Sequence, residues 1–356
     1  MIVQAPLNNL GYGVASRNIL KELVKFEDIY YFPIGKQSLL PEDTQLSEKL
    51  INGPHSLHNR KDATLKIWHQ NDLHSRIGCG LYMAMPFFEL DTFNDVELSS
   101  LSMPDVILVT SEWAKQVVID HASKINPLHV HVEVVPLGVD ADIFTPKTSF
   151  DDNKCIFLNI GKWEIRKGHD VLIEMFQRAF QKDEPVELWM MPTNPFINGN
   201  QVKEWTNMYS DNRVKILPTV ESHKDVAALI AQTTCGIFPS RAEGWNLSIL
   251  EMMAMGRRVI LTNYSAHTEY ANKDNSLLID VTDKEDAVDG IWFHGQGKWA
   301  KIDEPQIEQA VSHLRTVFDA WNSTERQNKL FNSAGIETAK FFSWHNTAKR
   351  IVEISN

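Results

Sequence analysis

Hydrophobic positions near the start of the chain follow two alternating patterns, short apolar runs and longer stretches with helical spacing. The run MIVQAP predicts a strand, and the stretch VASRNILKELVKF predicts a helix because four apolar residues share one face, namely Ile19, Leu20, Leu23 and Val24. TLKIWH, DVILVT and VHVEVVP are further strand-like runs. The stretch SEWAKQVVIDHA after the second of them predicts a helix with Ser111 as its N-cap.

The same alternation restarts after a polar linker, TPKTSFDDNK, which contains a proline. Strand-like runs beyond the linker are CIFLNIG, VELWMMP, VKILP, CGIFPS and RVILT. Helical stretches between them are DVLIEMFQRAF, HKDVAALIAQ and NLSILEMMAMG. Alternation of this kind predicts an α/β fold with two Rossmann-like domains. Ligands would then bind beyond the carboxyl ends of the strands, in a cleft between the domains.

Composition and charge narrow the class of protein. The 356 residues are enough for two domains, and a hydrophobic content of 43% is enough for a core in each. A formal net charge of -11 argues against broad electrostatic capture of nucleic acid. Cys79, Cys155 and Cys235 form neither a disulfide framework nor a CxxC metal motif. With no signal-peptide pattern and no apolar run of about 18 residues, we expect a soluble, cytoplasmic protein without a transmembrane segment.

The segment RAEGWNLSILEMMAMGRRVIL carries the most specific chemistry. Glu243 lies in its turn, and Glu251 lies about one helical turn inside the helix that follows. Asn246 is the predicted N-cap, and Gly256 stands at a plausible C-cap position. Because a helix N-terminus favours phosphate, carboxylates on both sides of it would suit a diphosphate between a sugar and a ribose. The alternative for Glu251 is a solvated surface charge.

Several segments together resemble one family. PSRAEGWNLSILEMMAMGRRVILT resembles the E-x7-E signature of the retaining GT-B glycosyltransferases of family 4 (GT4). GYGVASRNIL, FELDTF, VTSEWAKQVV and VVPLGVDADIF resemble the N-terminal domain of that family, and NIGKWEIRKGHDVLIEMFQRAF resembles the start of its C-terminal domain. FFSWHNTAKRIVEI resembles the closing helix of the family. The resemblance implies an acceptor-side domain at 1–145, a nucleotide-sugar-binding domain at 151–335, and a C-terminal helix at 336–356 that crosses back to the first domain.

The resemblance implies that the chain moves a sugar from a nucleotide diphosphate sugar to an acceptor hydroxyl, with retention and without a metal or other cofactor. A UDP- or GDP-sugar is the expected donor. The departing diphosphate needs fixed positive charge, for which Lys162, Arg166 and Lys167 are the candidates. Lys167 matches the family's lysine before glycine, whereas Lys162 stands where arginine is usual and lacks its bidentate fork. Without the resemblance, KWEIRK would be interpreted as a solvated loop.

Further residues are assigned to the same site by the resemblance. Glu243 is the candidate catalytic carboxylate facing the sugar, and four neighbours are expected around the donor, namely Gly244, Trp245, Asn246 and Leu247. Gly11 and Gly13 are predicted on the loop after the first strand, where backbone N–H groups could approach a phosphate. Glu89 is either a second catalytic carboxylate, on the acceptor side, or a surface or capping residue.

Histidines give no metal site, because His69 and His74 beside Asp72 lack the spacing of a ligand set. His69 could instead contact the acceptor or the sugar, and Glu269 in SAHTE is expected near the donor. The acceptor itself is open between a glycan, a lipid-linked saccharide, a small metabolite and a modified nucleobase. The oligomeric state is not indicated.

Two alternative functions are open to a chain of this fold. Another GT-B chemistry would need different signals, since an epimerase would lack the E-x7-E pattern and a phosphorylase would need a lysine-bound pyridoxal cofactor. A catalytically silent nucleotide-sugar-binding subunit of a larger glycosylation assembly is permitted by Lys162 in place of arginine. Intact Glu243, Lys167 and Glu251 argue against the silent subunit.

Overall fold

A computed structural model describes residues 1–38, 43–126, 130–220 and 222–356. The chain divides into two compact units. Unit 1 comprises Met1–Asp140 together with Phe342–Asn356, and unit 2 comprises Ala141–Phe341. In the described part of the chain, no helix is both long enough and apolar enough to cross a membrane.

The sheet of unit 1 is parallel throughout. Its strands, within the described residues, are β1 (Ile2–Ala5), β2 (Tyr30–Pro33), β3 (Ile51–Asn52), β4 (Thr64–Lys66), β5 (Tyr82–Ala84), β6 (Val106–Val109) and β7 (Val132–Val134). They lie in the order β3-β2-β1-β4-β5-β6-β7. The chain therefore extends the sheet on one side of β1 and then continues on the other side with β4. This reversal between β1 and β4 is the switch point at which open α/β sheets bind ligands.

Helices of unit 1 that precede the linker are α1 (Gly11–Leu23), α2 (Thr44–Lys49), α3 (Asp95–Leu101), α4 (Glu112–Asp120) and α5 (Ala122–Ile125). The predicted apolar face of α1 is fully buried at Ile19, Leu20 and Leu23. Ser111 caps α4 as predicted, because its Oγ accepts a hydrogen bond from the N–H of Ala114 at 3.1 Å.

The prediction that Gly11 and Gly13 lie on a loop is wrong, because both belong to the first turn of α1. The helix starts early because the chain turns tightly at Asn8, whose Oδ1 accepts from the N–H of Leu10 at 2.9 Å. A Cβ at Gly13 would lie 2.3 Å from that same Oδ1, so only glycine fits there.

Unit 2 repeats this topology. Its parallel strands are β8 (Cys155–Gly161), β9 (Val186–Pro192), β10 (Val214–Ile216), β11 (Cys235–Phe238), β12 (Arg258–Asn263) and β13 (Leu277–Asp280). They lie in the order β10-β9-β8-β11-β12-β13, so the switch point falls between β8 and β11. An antiparallel hairpin of β14 (Lys284–Val288) and β15 (His294–Ala300) follows, which the sequence analysis did not predict.

Helices of unit 2, within the described residues, are α6 (His169–Ala179), α7 (Gly199–Met208), α8 (His223–Ala231), α9 (Leu247–Ala254), α10 (Glu304–Trp321), α11 (Arg326–Leu330) and α12 (Ser333–Phe341). α10 packs against α6, and α12 packs against α9. The last helix, α13 (Trp344–Ser355), belongs to unit 1 and packs against α1. The predicted α/β chain with two Rossmann-like domains is confirmed.

Candidate active site

Two loops meet at the switch point of unit 2, one after β8 and one after β11. Gly168 has a left-handed φ of 71°, and a Cβ there would lie 2.0 Å from the carbonyl oxygen of Pro239. The N–H of Arg241 donates to the carbonyl oxygen of Arg166 at 2.7 Å. Glycine at 168 therefore lets the two loops pack in direct backbone contact.

Glu243 is the centre of this contact and is 4% exposed. Its Oε1 accepts hydrogen bonds from Lys167 Nζ at 2.6 Å and from Ser240 Oγ at 2.8 Å. Its Oε2 accepts from Arg166 Nη1 at 2.9 Å. The structure thus brings together three predicted site residues that are 76 and 77 positions apart in sequence.

A second carboxylate, Glu164, completes the network. Its Oε2 accepts from Arg166 Nη2 at 2.7 Å, and its Oε1 lies 3.4 Å from Lys162 Nζ. Arg166 and Glu164 are each 5% exposed, so KWEIRK is not the solvated loop that its charge alone suggests. Three cations face two carboxylates, which leaves one net positive charge at the switch point.

Both carboxylates of the network are ionised. Burial disfavours the charge of Glu243, but Lys167 and Arg166 outweigh it and hold the pKa of Glu243 well below its ordinary value. Burial also opposes the charge of Glu164, whose pKa is nevertheless lowered by Arg166 and Lys162. Burial lowers the pKa of His169 to about 3 and that of His267 to about 4, so both imidazoles are neutral. Within the described ranges, no group of His, Cys, Asp and Glu side chains is arranged to hold a metal ion.

The start of α9 differs in detail from the prediction. Asn246 occupies the N-cap position, but its φ is 76° and its side chain makes no capping hydrogen bond. Instead, its Nδ2 donates to Glu243 Oε1 at 3.3 Å, so the predicted N-cap position is confirmed, but the side chain serves Glu243 rather than the helix. Asparagine adopts the left-handed region more readily than most residues. The first-turn N–H groups of Leu247 and Ser248 have no intrahelical acceptor, and both residues are half-buried.

Glu251 lies on α9 in an environment unlike that of Glu243. It is half-buried, and within the described residues its carboxyl group forms no hydrogen bond or ion pair. Burial alone raises the pKa of Glu251 to about 7. Glu251 is thus partly shielded from solvent, whereas the surface alternative would leave it exposed.

Gly244 and Trp245 complete the turn before α9. Both residues are buried. The Trp245 ring packs against Tyr270 in a T-shaped arrangement with centroids 5.0 Å apart, and the Tyr270 hydroxyl donates to the Trp245 carbonyl oxygen at 2.7 Å. Trp245 thus fixes the shape of the turn from inside unit 2.

Sequence reasoning missed several residues that hold this site. Ser265 Oγ accepts from the N–H of Glu243 at 2.8 Å, with Ser265 itself at a left-handed φ of 53°. Arg241 pairs with both oxygens of Asp170 at 2.8 Å and with Glu285 of the hairpin at 3.0 Å. Ser240 and Arg241 stood beside Glu243 in the motif, which was the available signal. Glu269 lies half-buried in the short helical turn that begins at Ser265.

The remaining predicted residues lie in unit 1, around its own switch point. Gly11 and Gly13 flank Tyr12, whose hydroxyl accepts from the N–H of Phe87 at 2.7 Å and donates to the Phe87 carbonyl oxygen at 3.0 Å. Glu89 lies two residues after Phe87 on the loop that follows β5, and it is half-buried. Burial, with a smaller contribution from the charge of Glu89, raises the pKa of Tyr12.

Comparison with known proteins finds similarity to glycosyltransferases. Residues 154–292 match the family model described as glycosyl transferases group 1. The MMP alpha-(1->4)-mannosyltransferase of Mycolicibacterium hassiacum is 23% identical over 253 residues, 71% of this chain and 54% of that protein. The putative glycosyltransferase 45 of Sulfolobus islandicus filamentous virus is 22% identical over 235 residues, 65% of this chain and 61% of that protein. The chain therefore spans less than two thirds of the length of these curated relatives.

Solved structures match almost the whole chain. Sucrose-phosphate synthase from Thermosynechococcus elongatus has a TM-score of 0.71 at 13% identity and covers 99% of this chain and 97% of its own. Anabaena HepE in complex with UDP and glucose has a TM-score of 0.68 at 15% identity, and the match covers 99% of this chain and 98% of HepE. At such identities the likeness is one of fold. The chain thus has the pair of Rossmann-like domains found in GT-B glycosyltransferases, and its residues 154–292 carry the similarity to glycosyl transferases group 1.

Proposed function

We propose that the chain is a retaining, metal-independent glycosyltransferase of family 4 whose unit 2 binds a nucleotide diphosphate sugar. The family match at residues 154–292 and the glycosyltransferase relatives support sugar transfer from a nucleotide-sugar donor. The observation that carries the proposal is the convergence of Lys167, Arg166 and Glu243 at the switch point, next to the start of α9. This convergence lies inside the matched residues.

The donor diphosphate is proposed to bind between the cations and the start of α9. Lys162, Arg166 and Lys167 supply charge, while the N–H groups of Leu247 and Ser248 supply donors at a helix N-terminus. Negative charge grows on the diphosphate as its bond to the sugar breaks, so fixed positive charge stabilises the transition state more than the ground state. The net positive charge of the network supports this role without a metal.

Glu251 is proposed to accept hydrogen bonds from the ribose hydroxyls. Its carboxyl group has no partner among the described residues, and its raised pKa reflects burial without compensation. Two hydroxyl donors would supply that compensation. Anabaena HepE binds UDP and UDP-glucose, which supports a uridine nucleotide for this chain, with a GDP-sugar as the second candidate.

Glu243 is proposed as the carboxylate that holds Lys167 and Arg166 against the leaving phosphate and faces the donor sugar. In a retaining transfer, the acceptor oxygen bonds to the anomeric carbon as the carbon–oxygen bond to the diphosphate breaks on the same face. The acceptor proton passes to the leaving phosphate oxygen. Glu89 on the acceptor side remains a proposal from the sequence. No phosphate role is proposed for Gly11 and Gly13, because the close approach of Asn8 accounts for the glycine at 13 and the charge of Glu89 acts on Tyr12 in the same turn.

Thermal unfolding with nucleotides tests the donor proposal. UDP, GDP, UDP-glucose and GDP-mannose would be added to the wild type, to Glu251→Ala and to the surface control Glu337→Ala. A ligand present at about a hundredfold over its Kd stabilises by about 2.7 kcal/mol. We expect one nucleotide family to stabilise the wild type and Glu337→Ala but not Glu251→Ala. No stabilisation by any of the four compounds would contradict the proposal.

Transfer itself is tested by product analysis. An α-linked donor should give an α-linked product by NMR, and turnover should persist in a strong chelator. A β-linked product would refute retention, and activity that returns only with Mg²⁺ would refute metal independence. Nucleotide binding without transfer or donor hydrolysis would instead favour the silent subunit, which the comparisons do not favour.

A further inference from the structure

Unit 1 carries an aromatic cluster at its switch point, formed by Tyr12, Trp68, His69 and Phe87. The Tyr12 ring lies 4.5 Å from that of His69, 4.5 Å from that of Phe87 and 5.7 Å from that of Trp68, measured between centroids. Trp68 and His69 also meet in a T-shaped arrangement at 4.9 Å. Rings this close form one continuous apolar surface.

Three separate chain segments supply these rings. Tyr12 comes from the first turn of α1, Trp68 and His69 from the loop after β4, and Phe87 from the loop after β5. Because β1, β4 and β5 are adjacent and parallel, their carboxyl ends lie at one edge of the sheet. The paired hydrogen bonds between the Tyr12 hydroxyl and the Phe87 backbone join two of the segments. The cluster is thus assembled where a ligand of this fold is expected.

The cluster is open to solvent rather than buried in the core. His69 is exposed, and Tyr12, Trp68 and Phe87 are half-buried. Trp68 is held in place through its Nε1, which donates to Asp72 Oδ2 at 3.1 Å. Exposed aromatic rings with a fixed orientation and a few polar neighbours are typical of binding sites.

The charge around the cluster is negative. The three segments that follow β1, β4 and β5, residues 6–10, 67–81 and 85–94, contain Asp72, Glu89 and Asp91. Their one basic residue of the lysine or arginine type is Arg76, which pairs with Asp105 at 3.6 Å. Lys66, at the end of β4, is 2% exposed, donates to Ser75 Oγ at 2.9 Å and lies 3.8 Å from Asp72 Oδ1. It therefore offsets the charge of Asp72, and the negative charge near the cluster comes from Glu89 and Asp91. A phosphate brought to this surface would meet carboxylates rather than cations.

We propose that the aromatic cluster binds the acceptor of the transfer and that this acceptor is a neutral sugar ring, an inference that rests on the proposed glycosyltransferase function. A pyranose presents a face of C–H groups that packs on aromatic rings, and its hydroxyls donate to carboxylates at the rim. A phosphorylated sugar would be repelled. One hydroxyl of the bound ring forms the new bond to the anomeric carbon of the donor sugar, the bond to the diphosphate breaks, and the proton goes to the leaving phosphate oxygen.

Saturation-transfer NMR tests this site without the donor. The methyl glycosides of glucose, galactose and mannose would be compared with glucose 6-phosphate and with thymidine. We expect saturation transfer from the wild-type protein to the ring protons of at least one glycoside. We expect no such signal from glucose 6-phosphate. Binding of glucose 6-phosphate alone, of thymidine alone, or of none of these probes would overturn the proposal.

Substitutions locate the binding surface. Trp68→Ala and the exposed His69→Ala should each abolish the glycoside signal or weaken binding by about tenfold. Phe26→Ala is the matched control, because Phe26 is also an exposed ring of unit 1 beside a histidine, 5.3 Å from His345, but lies past the opposite end of α1. A glycoside signal unchanged in both cluster variants would refute the site.

The donor experiment keeps the two proposals apart. Stabilisation by UDP or GDP should be the same in His69→Ala as in the wild type, because the donor residues lie in unit 2. In transfer assays, His69→Ala should raise the acceptor KM about tenfold and leave kcat nearly unchanged. If no nucleotide binds to the wild type, the proposed function is wrong. If His69→Ala has the acceptor KM of the wild type, only the proposed acceptor site is wrong.

Discussion

The two switch points of this protein share a topology and differ in chemistry. In each unit the first strand pairs with the second strand of that unit on one side and with the fourth strand on the other. The segments that follow the first and the fourth strands therefore meet at one edge of the sheet. In unit 2 these segments carry Arg166, Lys167 and Glu243. In unit 1 the corresponding segments carry Tyr12, in the first turn of α1, and Trp68 on the loop after β4. The fold therefore fixes where a site lies, and the loops decide what it binds.

The two sites also differ in how they are held. The charges of unit 2 are buried and bind one another, so removing one leaves its partners unpaired in a low-dielectric environment. The rings of unit 1 are partly exposed, and two hydrogen bonds to the Phe87 backbone tie them to the fold. Changes in unit 2 should consequently affect stability and turnover together, and changes in unit 1 should affect acceptor binding with a smaller loss of stability.

The largest expected effect is that of Glu243→Gln on stability. Loss of the buried carboxylate charge leaves Lys167 and Arg166 uncompensated, which should lower the free energy of unfolding of unit 2 by about 3–5 kcal/mol. Chemical denaturation measures it, with Glu337→Gln as the control because its partner Lys340 forms only an exposed pair. A loss below about 1 kcal/mol would mean that the network is not preorganised by Glu243.

Next in size is the effect of Lys167→Ala on turnover. Because the charge on the leaving phosphate grows toward the transition state, kcat should fall about a hundredfold. The Kd for the nucleotide diphosphate should change less. Steady-state kinetics and nucleotide titration measure the two quantities, and Lys340→Ala serves as the surface control. An unchanged kcat would remove Lys167 from the phosphate site.

A smaller effect concerns pH and Glu251. If the carboxylate accepts ribose hydroxyls, nucleotide affinity should rise with pH up to its pKa of about 7 and level off above it. The slope below that pH should approach about tenfold per pH unit. Nucleotide titrations across this range should give a flat profile for Glu251→Gln. A sloping profile in that variant would assign the pH dependence to another group.

In the ligand-free protein, raising the pH through the pKa of Glu251 should lower the free energy of unfolding, whereas it should raise the affinity for the nucleotide. The native state keeps Glu251 protonated up to a pKa of about 7, while the unfolded chain releases this proton near the ordinary glutamate value of 4.5. The native state therefore binds more protons between these values, so the contribution of Glu251 to stability falls as pH rises through this window. Denaturation of the wild type against Glu251→Gln measures this contribution, and a contribution that rises with pH would contradict the burial of the carboxyl group.

The smallest effect is expected from Tyr12→Phe in unit 1. Loss of the two hydrogen bonds to the Phe87 backbone should cost about 1 kcal/mol, since each hydrogen bond contributes about that much and the site is half-buried. Thermal unfolding measures the loss, and Tyr30→Phe is the control. Tyr30 is also in unit 1, and its side chain contacts the ring of His58 and forms no hydrogen bond within the described residues. An equal change in both variants would mean that the Tyr12 hydroxyl does not hold the loop.

Sequence patterns revealed the local part of this architecture. The apolar face of α1, the cap at Ser111 and the strand and helix around Glu243 all follow from spacing within a few residues. The resemblance then brought Lys167 and Glu243 together, although neither spacing nor charge links residues 76 positions apart. Patterns of period two or 3.6 report an element and its buried face, and for that reason they predicted the fold well.

Other parts of the site left no local signal. Glu164 and Asp170 acquire their roles only when the loop after β8 packs against the loop after β11, which places them beside Arg166 and Arg241. The hairpin β14–β15 is mostly polar, so its strands lacked an apolar run. The early start of α1 depended on the turn at Asn8. The first case depended on a contact between distant segments, and the other two depended on local conformation that apolar spacing does not report.

One feature of the chain path bears on the order of synthesis. Unit 2 is a single continuous segment, whereas unit 1 needs Phe342–Asn356, which emerge from the ribosome after all of unit 2. Until then the surface of α1 that α13 covers stays open, including the places filled by Ala348 and Ile351, which are fully buried in the finished protein. The first unit to be made is thus the last to be completed, so a nascent chain passes through a stage in which unit 2 can fold while part of α1 in unit 1 is still uncovered.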